Sequence, residues 1–152
     1  MSSTEPILFY GHRNEWGEFS NFYPSPFELD GHTWPTVEHY FVAMKSEDPD
    51  FQDRARKVES PGQVKKLGRD RSLCKLRPKW DTVKIRYMER AVQAKFEQNP
   101  DLKDVLLSTG DRLLHENCRD PWWGGGPNYP KGRDLLGKIL RRVRISLQED
   151  SA

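Results

Sequence analysis

Apolar and polar positions alternate along this chain in a way that predicts mostly helices with a few short strands. Ile7-Leu8-Phe9-Tyr10 is an unbroken apolar run of strand length. HRNEWGEFSNFYPSPF is rich in Gly, Ser, Asn and Pro and reads as loop. Asp30-Gly31 sits between FEL and HTW, where a tight hairpin turn is expected because both residues tolerate positive φ. Thr36 is placed to cap a helix running to about Ser46. Asp48-Pro49 opens a second helix, with Pro in its first turn. Ser60-Pro61-Gly62-Gln63 is a capping-box pattern opening a short third. After Trp80-Asp81, Val83, Tyr87, Ala91 and Ala94 recur at helical steps, as do Met88, Val92 and Phe96. Asn99-Pro100 begins a further helix that Gly110 stops. Residues 112–118, RLLHENC, fit a strand, and DPWWGGGPNYPKG must be loop. Leu135, Leu136, Ile139, Leu140 and Val143 form one face of a last helix. The expected fold is α+β, predominantly α-helical, with a small β-sheet.

The segment TWPTVEHYFVAMK, residues 33–45, carries unusual chemistry for a helix start. At about 100° per residue, Val37, Tyr40, Phe41 and Met44 share an arc of about 100°, while His39 points away. Glu38 and Lys45 lie seven residues apart, so they project within about 20° of each other at the edge of that arc. They are about 10 Å apart along the axis, beyond the spacing of a helix-surface ion pair. Either Glu38 favours the positive helix N-terminus and Lys45 snorkels at a core boundary, or both line a cleft beside aromatic rings. A half-buried carboxylate there suits a general base or the stabilisation of a developing sugar cation.

Length and composition narrow the class. The chain has 152 residues with 35% hydrophobic and 32% charged, which suits one domain with its own core. Net charge is +2, but Lys65–Arg86 holds nine basic residues against Asp70 and Asp81, a local +7 against −5 elsewhere. Such a run is a solvated basic face or a phosphate-binding patch. Cys74 and Cys118 make neither a disulfide framework nor a zinc spacing, so buried free thiols are expected. The N-terminus lacks signal-peptide character, and no apolar run approaches the roughly 18 residues of a membrane span. An intracellular protein, cytoplasmic or nuclear, is expected.

Two more stretches carry candidate chemistry. Gly124, Gly125 and Gly126 follow Trp122 and Trp123 and lead to a helix start near Arg133 or Asp134. Glycines before a helix let backbone N–H groups approach a phosphate, although a tight irregular loop needs them equally. One Trp is expected to close the core, and the other to stack on a flat ligand such as a nucleobase. Ser20-Asn21 is a polar pair suited to ribose or a carbonyl, or simply to a turn. His12, His32, His39 and His115 show no metal-ligand spacing, and nothing in these motifs needs a metal or a cofactor.

Taken in order, GEFSNFYPSPFELDGHTWPTVEHYFVAMK, PGQVKKLGRD, the segment from KWDTVKIRYMERAVQ to RDPWWGGG, and GRDLLGKILRRVR resemble the NADAR, or YbiA-like, superfamily over nearly the whole chain. The resemblance implies a single YbiA-like domain over 1–152 and hydrolysis of N-glycosidic bonds on phosphorylated ribose derivatives. It carries catalytic roles to Glu38 and Trp123; with them Lys45 is expected to act catalytically, by holding a phosphate, protonating the leaving base or trapping the ring-opened ribose as a Schiff base. Substrate-binding roles go to Ser20, Asn21, Arg69, Trp122, Gly124, Gly125 and Gly126. The implied activities are removal of ADP-ribose from ADP-ribosylated guanine in nucleic acid or cleavage of phosphorylated riboflavin-biosynthesis intermediates; a non-catalytic ADP-ribose or NAD-binding module is the competing class. Some members of the riboflavin branch carry Asp two residues after the loop Trp, where this chain has Gly125, which tilts the expectation to ADP-ribose. Val42 and Asp134 also depart from the pattern, which usually has Gln and Asn there.

Overall fold

The structure is a computed structural model, and it describes residues 4–150. Six α-helices and four short strands are present among these residues, confirming the α+β, mainly helical class. The chain falls into two compact units, one formed by Pro24–Gln98 and the other by the residues on either side of it, up to Tyr23 and from Asn99 onward.

The Pro24–Gln98 unit begins with a hairpin. Strands β1 (Ile7–Phe9) and β4 (Leu114–Glu116) belong to the other unit, so the hairpin strands are β2 (Phe27–Leu29) and β3 (His32–Trp34). Its turn is the expected Asp30-Gly31, with φ of 55° and 80°. Thr36 caps α1 (Val37–Met44) by accepting from the His39 amide. Asp48 caps α2 (Pro49–Lys57). Ser60 and Gln63 close a full capping box on α3 (Pro61–Arg69). Helix α4 (Trp80–Gln98) completes the unit. Helix α1 packs against α2, α3 and α4 together. It is therefore buried all round rather than on one arc, and His39 is 0% exposed. The imidazole is satisfied internally: Nε2 is 2.8 Å from the Val58 carbonyl oxygen and must donate to it, so Nδ1, 2.8 Å from Thr36 Oγ1, accepts that hydroxyl. Burial holds this ring below the ordinary histidine pKa, against the opposing bond to Val58.

A polar clasp of exposed Asp30 and Arg90 around buried Tyr40 ties the hairpin to the helices. Tyr40 Oη donates to Asp30 at 2.7 Å, and Arg90 bonds both the Asp30 carboxylate and the Tyr40 oxygen. Desolvation and the Asp30 charge push the phenol of Tyr40 well above its usual pKa. Helix α4 departs from its expected stripe: Val83 and Tyr87 are only half-buried, while Lys84 and Lys95 are buried beside Met88, Ala91, Val92 and Phe96.

In the other unit, β1 and β4 pair in parallel, Ile7 opposite Leu114 and Phe9 opposite Glu116. The sheet is thus two separate two-stranded pairings instead of one small sheet. Ile7 and Phe9 are buried while Leu8 and Tyr10 are exposed, so the apolar run alternates. Helix α5 (Pro100–Ser108) starts at Asn99, but through that residue's backbone; its side chain makes no cap bond. Helix α6 (Leu135–Asp150) buries Leu136, Ile139, Leu140, Val143 and Leu147, with Leu135 half-exposed. Gly137 is required where α6 meets β4, because a Cβ there would stand 2.0 Å from the Leu114 carbonyl oxygen. No helix among the described residues is long and apolar enough to cross a membrane.

Candidate active site

The predicted site residues fall into two groups, one in each unit. Glu38, Lys45 and Arg69 belong to the Pro24–Gln98 unit, at the two ends of α1 and the end of α3. Glu38 is 9% exposed and Phe41, one turn on, is 7% exposed. Phe41 packs on Trp80 with ring centroids 5.2 Å apart. The carboxylate is thus nearly buried on the helix that carries Phe41 of this aromatic pair, where a charge is screened less than in water.

Lys45 follows the last residue of α1 and is half-buried. Its position is fixed from several sides. Its carbonyl accepts from the Arg77 amide, and Arg77 Nε bonds the Met44 carbonyl at 2.9 Å. Arg77 in turn lies over the Tyr87 ring at 4.9 Å, so a cation braces the carboxyl end of α1. Gly68 of α3 closes on the same place: a Cβ there would meet Val42 Cγ1 at 2.8 Å and Lys45 Nζ at 3.5 Å. The Val42 contact is what requires a glycine here, and it brings α3 to within ordinary contact of the Lys45 amine.

The electrostatics of that amine are mixed. Burial lowers the Lys45 pKa, Glu38 and Cys74 oppose the shift, and Arg71 and Arg69 add to it. Lys45 is thus displaced toward its neutral, nucleophilic form while a carboxylate on the same helix acts on it. Cys74 is buried, and its thiol pKa is raised by desolvation. Gly68 and Arg71 are not assigned to the site by the sequence, and Cys74 is expected only as a buried free thiol, which it is. A glycine inside α3, a helix with no other need of one, was the available signal.

In the other unit, Ser20, Asn21, Trp122, Trp123 and the three glycines flank the β1–β4 pair. Ser20 is buried, and its Oγ accepts from the Phe22 amide at 3.1 Å, so it forms a local turn. Asn21 is half-buried beside it. Phe19, just before, meets Phe9 of β1 edge-on.

The Trp-Gly loop is built around Asp120. Its Oδ1 accepts from the amides of Trp122 and Trp123 at 2.8 and 2.9 Å. Arg133 covers one face of Trp122, its guanidinium 4.0 Å from the ring centre. The loop carbonyls of Trp122 and Trp123 accept from Leu135 and Leu136, so the first amides of α6 bond the loop itself. The Gly124 and Gly125 amides are likewise engaged, by Asp120 and Glu116 carbonyls. All three glycines have packing reasons. A Cβ would stand 2.2 Å from the Cys118 oxygen at Gly124, 2.6 Å from Asp134 Cβ at Gly125 and 2.9 Å from His115 at Gly126, whose φ is +96°. The loop is a rigid mount for the two tryptophans, and the Gly124 and Gly125 N–H groups do not present an anion cradle. Cys118, beside it, is a half-buried free thiol, with its pKa pushed up to about 11 by burial and Glu116.

Behind the loop lies a polar cluster not anticipated from the sequence. Asp134, at φ 56° just before α6, bonds His115 Nδ1 at 2.8 Å and Arg141 at 3.4 Å through Oδ2. Its buried Oδ1 meets no hydrogen-bond donor among the described residues.

The NADAR domain profile matches residues 8–148. N-glycosidase YbiA of Escherichia coli (strain K12) is 42% identical over 142 residues, covering 93% of this chain and 88% of that protein. An N-glycosidase of Nostoc punctiforme is 41% identical, covering 93% and 92%. A riboflavin biosynthesis protein of Vibrio vulnificus is 37% identical over 95% of this chain but only 39% of its own length. The NMR structure of Escherichia coli YbiA superposes with a TM-score of 0.88 at 39% identity, covering 99% of this chain and 89% of that one.

Proposed function

This chain belongs to the NADAR domain family, and from that premise we propose an N-glycosidase that removes ADP-ribose from ADP-ribosylated guanine in nucleic acid. The observation that carries the reading is the Lys45 amine: half-buried, closed in by Gly68, lowered in pKa by burial, and acted on by Glu38 from the same helix.

N-glycosidic cleavage develops positive charge on the ribose carbon. Glu38, nearly buried on α1, is the group to stabilise that charge or to activate water. Lys45 in neutral form attacks the anomeric ribose carbon: the C–N bond to guanine and the ring C–O bond break, one amine proton goes to the departing guanine and the other to the ring oxygen, and Nζ is left in the C=N bond. Water then returns across that bond and frees both sugar and amine. Trp123 stacks on the base or the sugar, since Arg133 already covers one face of Trp122. Arg69 meets phosphate charge, and Ser20 and Asn21 meet ribose hydroxyls or the base edge.

A second reading, cleavage of phosphorylated riboflavin precursors, is favoured by the names of relatives from Vibrio vulnificus and Zea mays. Against it stands Gly125. A side chain at that position would run into Asp134 Cβ at 2.6 Å and its backbone beyond, so this loop has no room for a carboxylate there.

The test is release of ADP-ribose from a guanine-ADP-ribosylated DNA oligonucleotide by wild type and by Glu38→Gln. The variant is expected to lose at least about 10²-fold in rate while keeping its thermal midpoint within a few degrees. Borohydride added during turnover is expected to leave a stable adduct on Lys45; absence of that adduct removes the imine step. Folded wild type that releases no ADP-ribose overturns the proposal and moves the assay to the riboflavin precursors.

A further inference from the structure

The stretch KKLGRDRSLCKLRPKW, residues 65–80, holds seven basic residues and one acid. The fold accounts for only part of this charge. Arg77 braces the end of α1. Lys66 and Arg69, in the last turn of α3, suit the negative end of that helix. Asp70, the lone acid, is spent on its own turn, accepting from the amide and hydroxyl of Ser72.

Lys79 has no such reason. Its carbonyl accepts from the Thr82 and Val83 amides, so it stands at the N-terminal cap of α4. That is the positive end of a helix, where a cation is disfavoured. Its φ is 58°, a conformation that side chains other than Gly, Asn and Asp rarely adopt. The residue is thus unfavourable on two counts and exposed to solvent. Beside it, Lys75 is exposed, and so are Leu73 and Leu76, at 40% and 43%. Arg69 and Arg71, from the same stretch, are the cations that act on Lys45.

We infer that this basic segment, from the end of α3 to the start of α4, is a docking surface for the sugar-phosphate backbone of single-stranded nucleic acid, with Leu73 and Leu76 resting against its bases. Cations spaced along an exposed stretch suit a line of phosphates, and the leucines suit unstacked bases. This deepens the glycosidase reading and rests on it for the meaning of the strand: the surface would hold the polynucleotide whose modified guanine enters the site.

Binding of a fluorescein-labelled, unmodified 20-nucleotide DNA strand, followed by anisotropy from 0.05 to 0.5 M KCl, tests the surface without requiring turnover. Each lost phosphate contact is expected to lower the salt slope by about 0.7 and affinity at 0.1 M by about 5-fold. Lys66→Ala/Lys75→Ala/Lys79→Asn should therefore bind roughly 100-fold more weakly. Lys79→Asn alone should bind about 5-fold more weakly while raising the thermal midpoint, because Asn suits both the cap and the positive φ. A cation with a merely structural role would lose stability instead. Leu73→Ser/Leu76→Ser should weaken binding without changing the slope. Unchanged strand binding in the triple variant overturns the inference. So does loss of binding to vesicles containing anionic lipid with strand binding intact, which would make this a membrane-facing surface. Hydrolysis of ADP-ribosylated guanosine as a free nucleoside separates the two readings. The triple variant should retain it; a wild type that binds strands yet hydrolyses nothing defeats the glycosidase proposal and leaves the surface standing.

Discussion

His39 stands beside the candidate carboxylate, yet its bonds give it a structural role with a measurable pH signature. Both ring nitrogens are engaged inside the fold, and burial holds the pKa below the ordinary 6.5. Protonating Nδ1 would set an N–H against the Thr36 hydroxyl, which must turn away. Below about pH 6.5 the unfolded chain takes up a proton at this ring while the folded chain resists it. The contribution is therefore fully present above pH 6.5 and is lost as pH falls toward the depressed folded value. Between pH 6.5 and 5.5 a ring that stays neutral in the fold removes up to about 1 kcal/mol of stability. For a chain of this size that is about 2–4 °C in thermal midpoint. His39→Gln cannot titrate, so its curve should lie below wild type at pH 7.5 by about 1–3 kcal/mol, from lost buried hydrogen bonds. The gap should narrow by up to about 1.4 kcal/mol between pH 7.5 and pH 5.5. Chemical denaturation at pH 7.5, 6.5 and 5.5 reads this directly. A constant gap across that range, or an NMR titration of His39 with a pKa at or above 6.5, would refute the argument.

Two further substitutions follow from the cluster behind the Trp-Gly loop. Asp134→Asn should raise stability by about 1 kcal/mol, seen as a higher midpoint in thermal unfolding. Asn is better tolerated at φ 56°, it retains an oxygen for His115, and its amide replaces the partnerless Oδ1 close to the Leu114 carbonyl. A fall in midpoint would mean that the charge facing Arg141 outweighs the unpaired oxygen. Gly125→Ala should destabilise by about 1–3 kcal/mol, because its Cβ meets Asp134 backbone as well as side chain. A neutral result in denaturant unfolding would show that the loop can yield there, and would weaken the steric case against a carboxylate at this position.

Most of the local structure was legible because it is written in short-range chemistry. The Asp30-Gly31 turn, the Thr36 and Asp48 caps and the Ser60–Gln63 box depend on residues within four positions of each other. Helix geometry alone puts Glu38 and Lys45 on one side of α1, and the Glu38 charge opposes the burial that lowers the Lys45 pKa. What the pattern hid depends on distant partners. His39 falls outside the apolar arc of α1, and nothing nearby in sequence announces Val58 as its acceptor. Lys84 and Lys95 interrupt an apolar stripe, yet both are buried. The glycines of the loop fit an anion cradle or a tight irregular loop equally well in the sequence; the approach of Cys118, Asp134 and His115 is what gives each its packing reason.

The parallel pairing of β1 with β4 also sets an order in time. Ile7 finds its partner in Leu114, more than a hundred residues later, and Arg112 reaches back to the Glu5 carbonyl. The intervening Pro24–Gln98 unit is contiguous in the chain and makes its helix contacts with itself. A ribosome delivers that middle piece whole while the first strand still lacks its mate. Strand β1 must then wait, as an unpaired edge, until Leu114 emerges, and closing so long a loop is expected to be slow. A stalled or truncated chain ending before Leu114 would carry a folded centre and an exposed, strand-forming beginning. That species, rather than the finished protein, is the one a cell has to guard against aggregation.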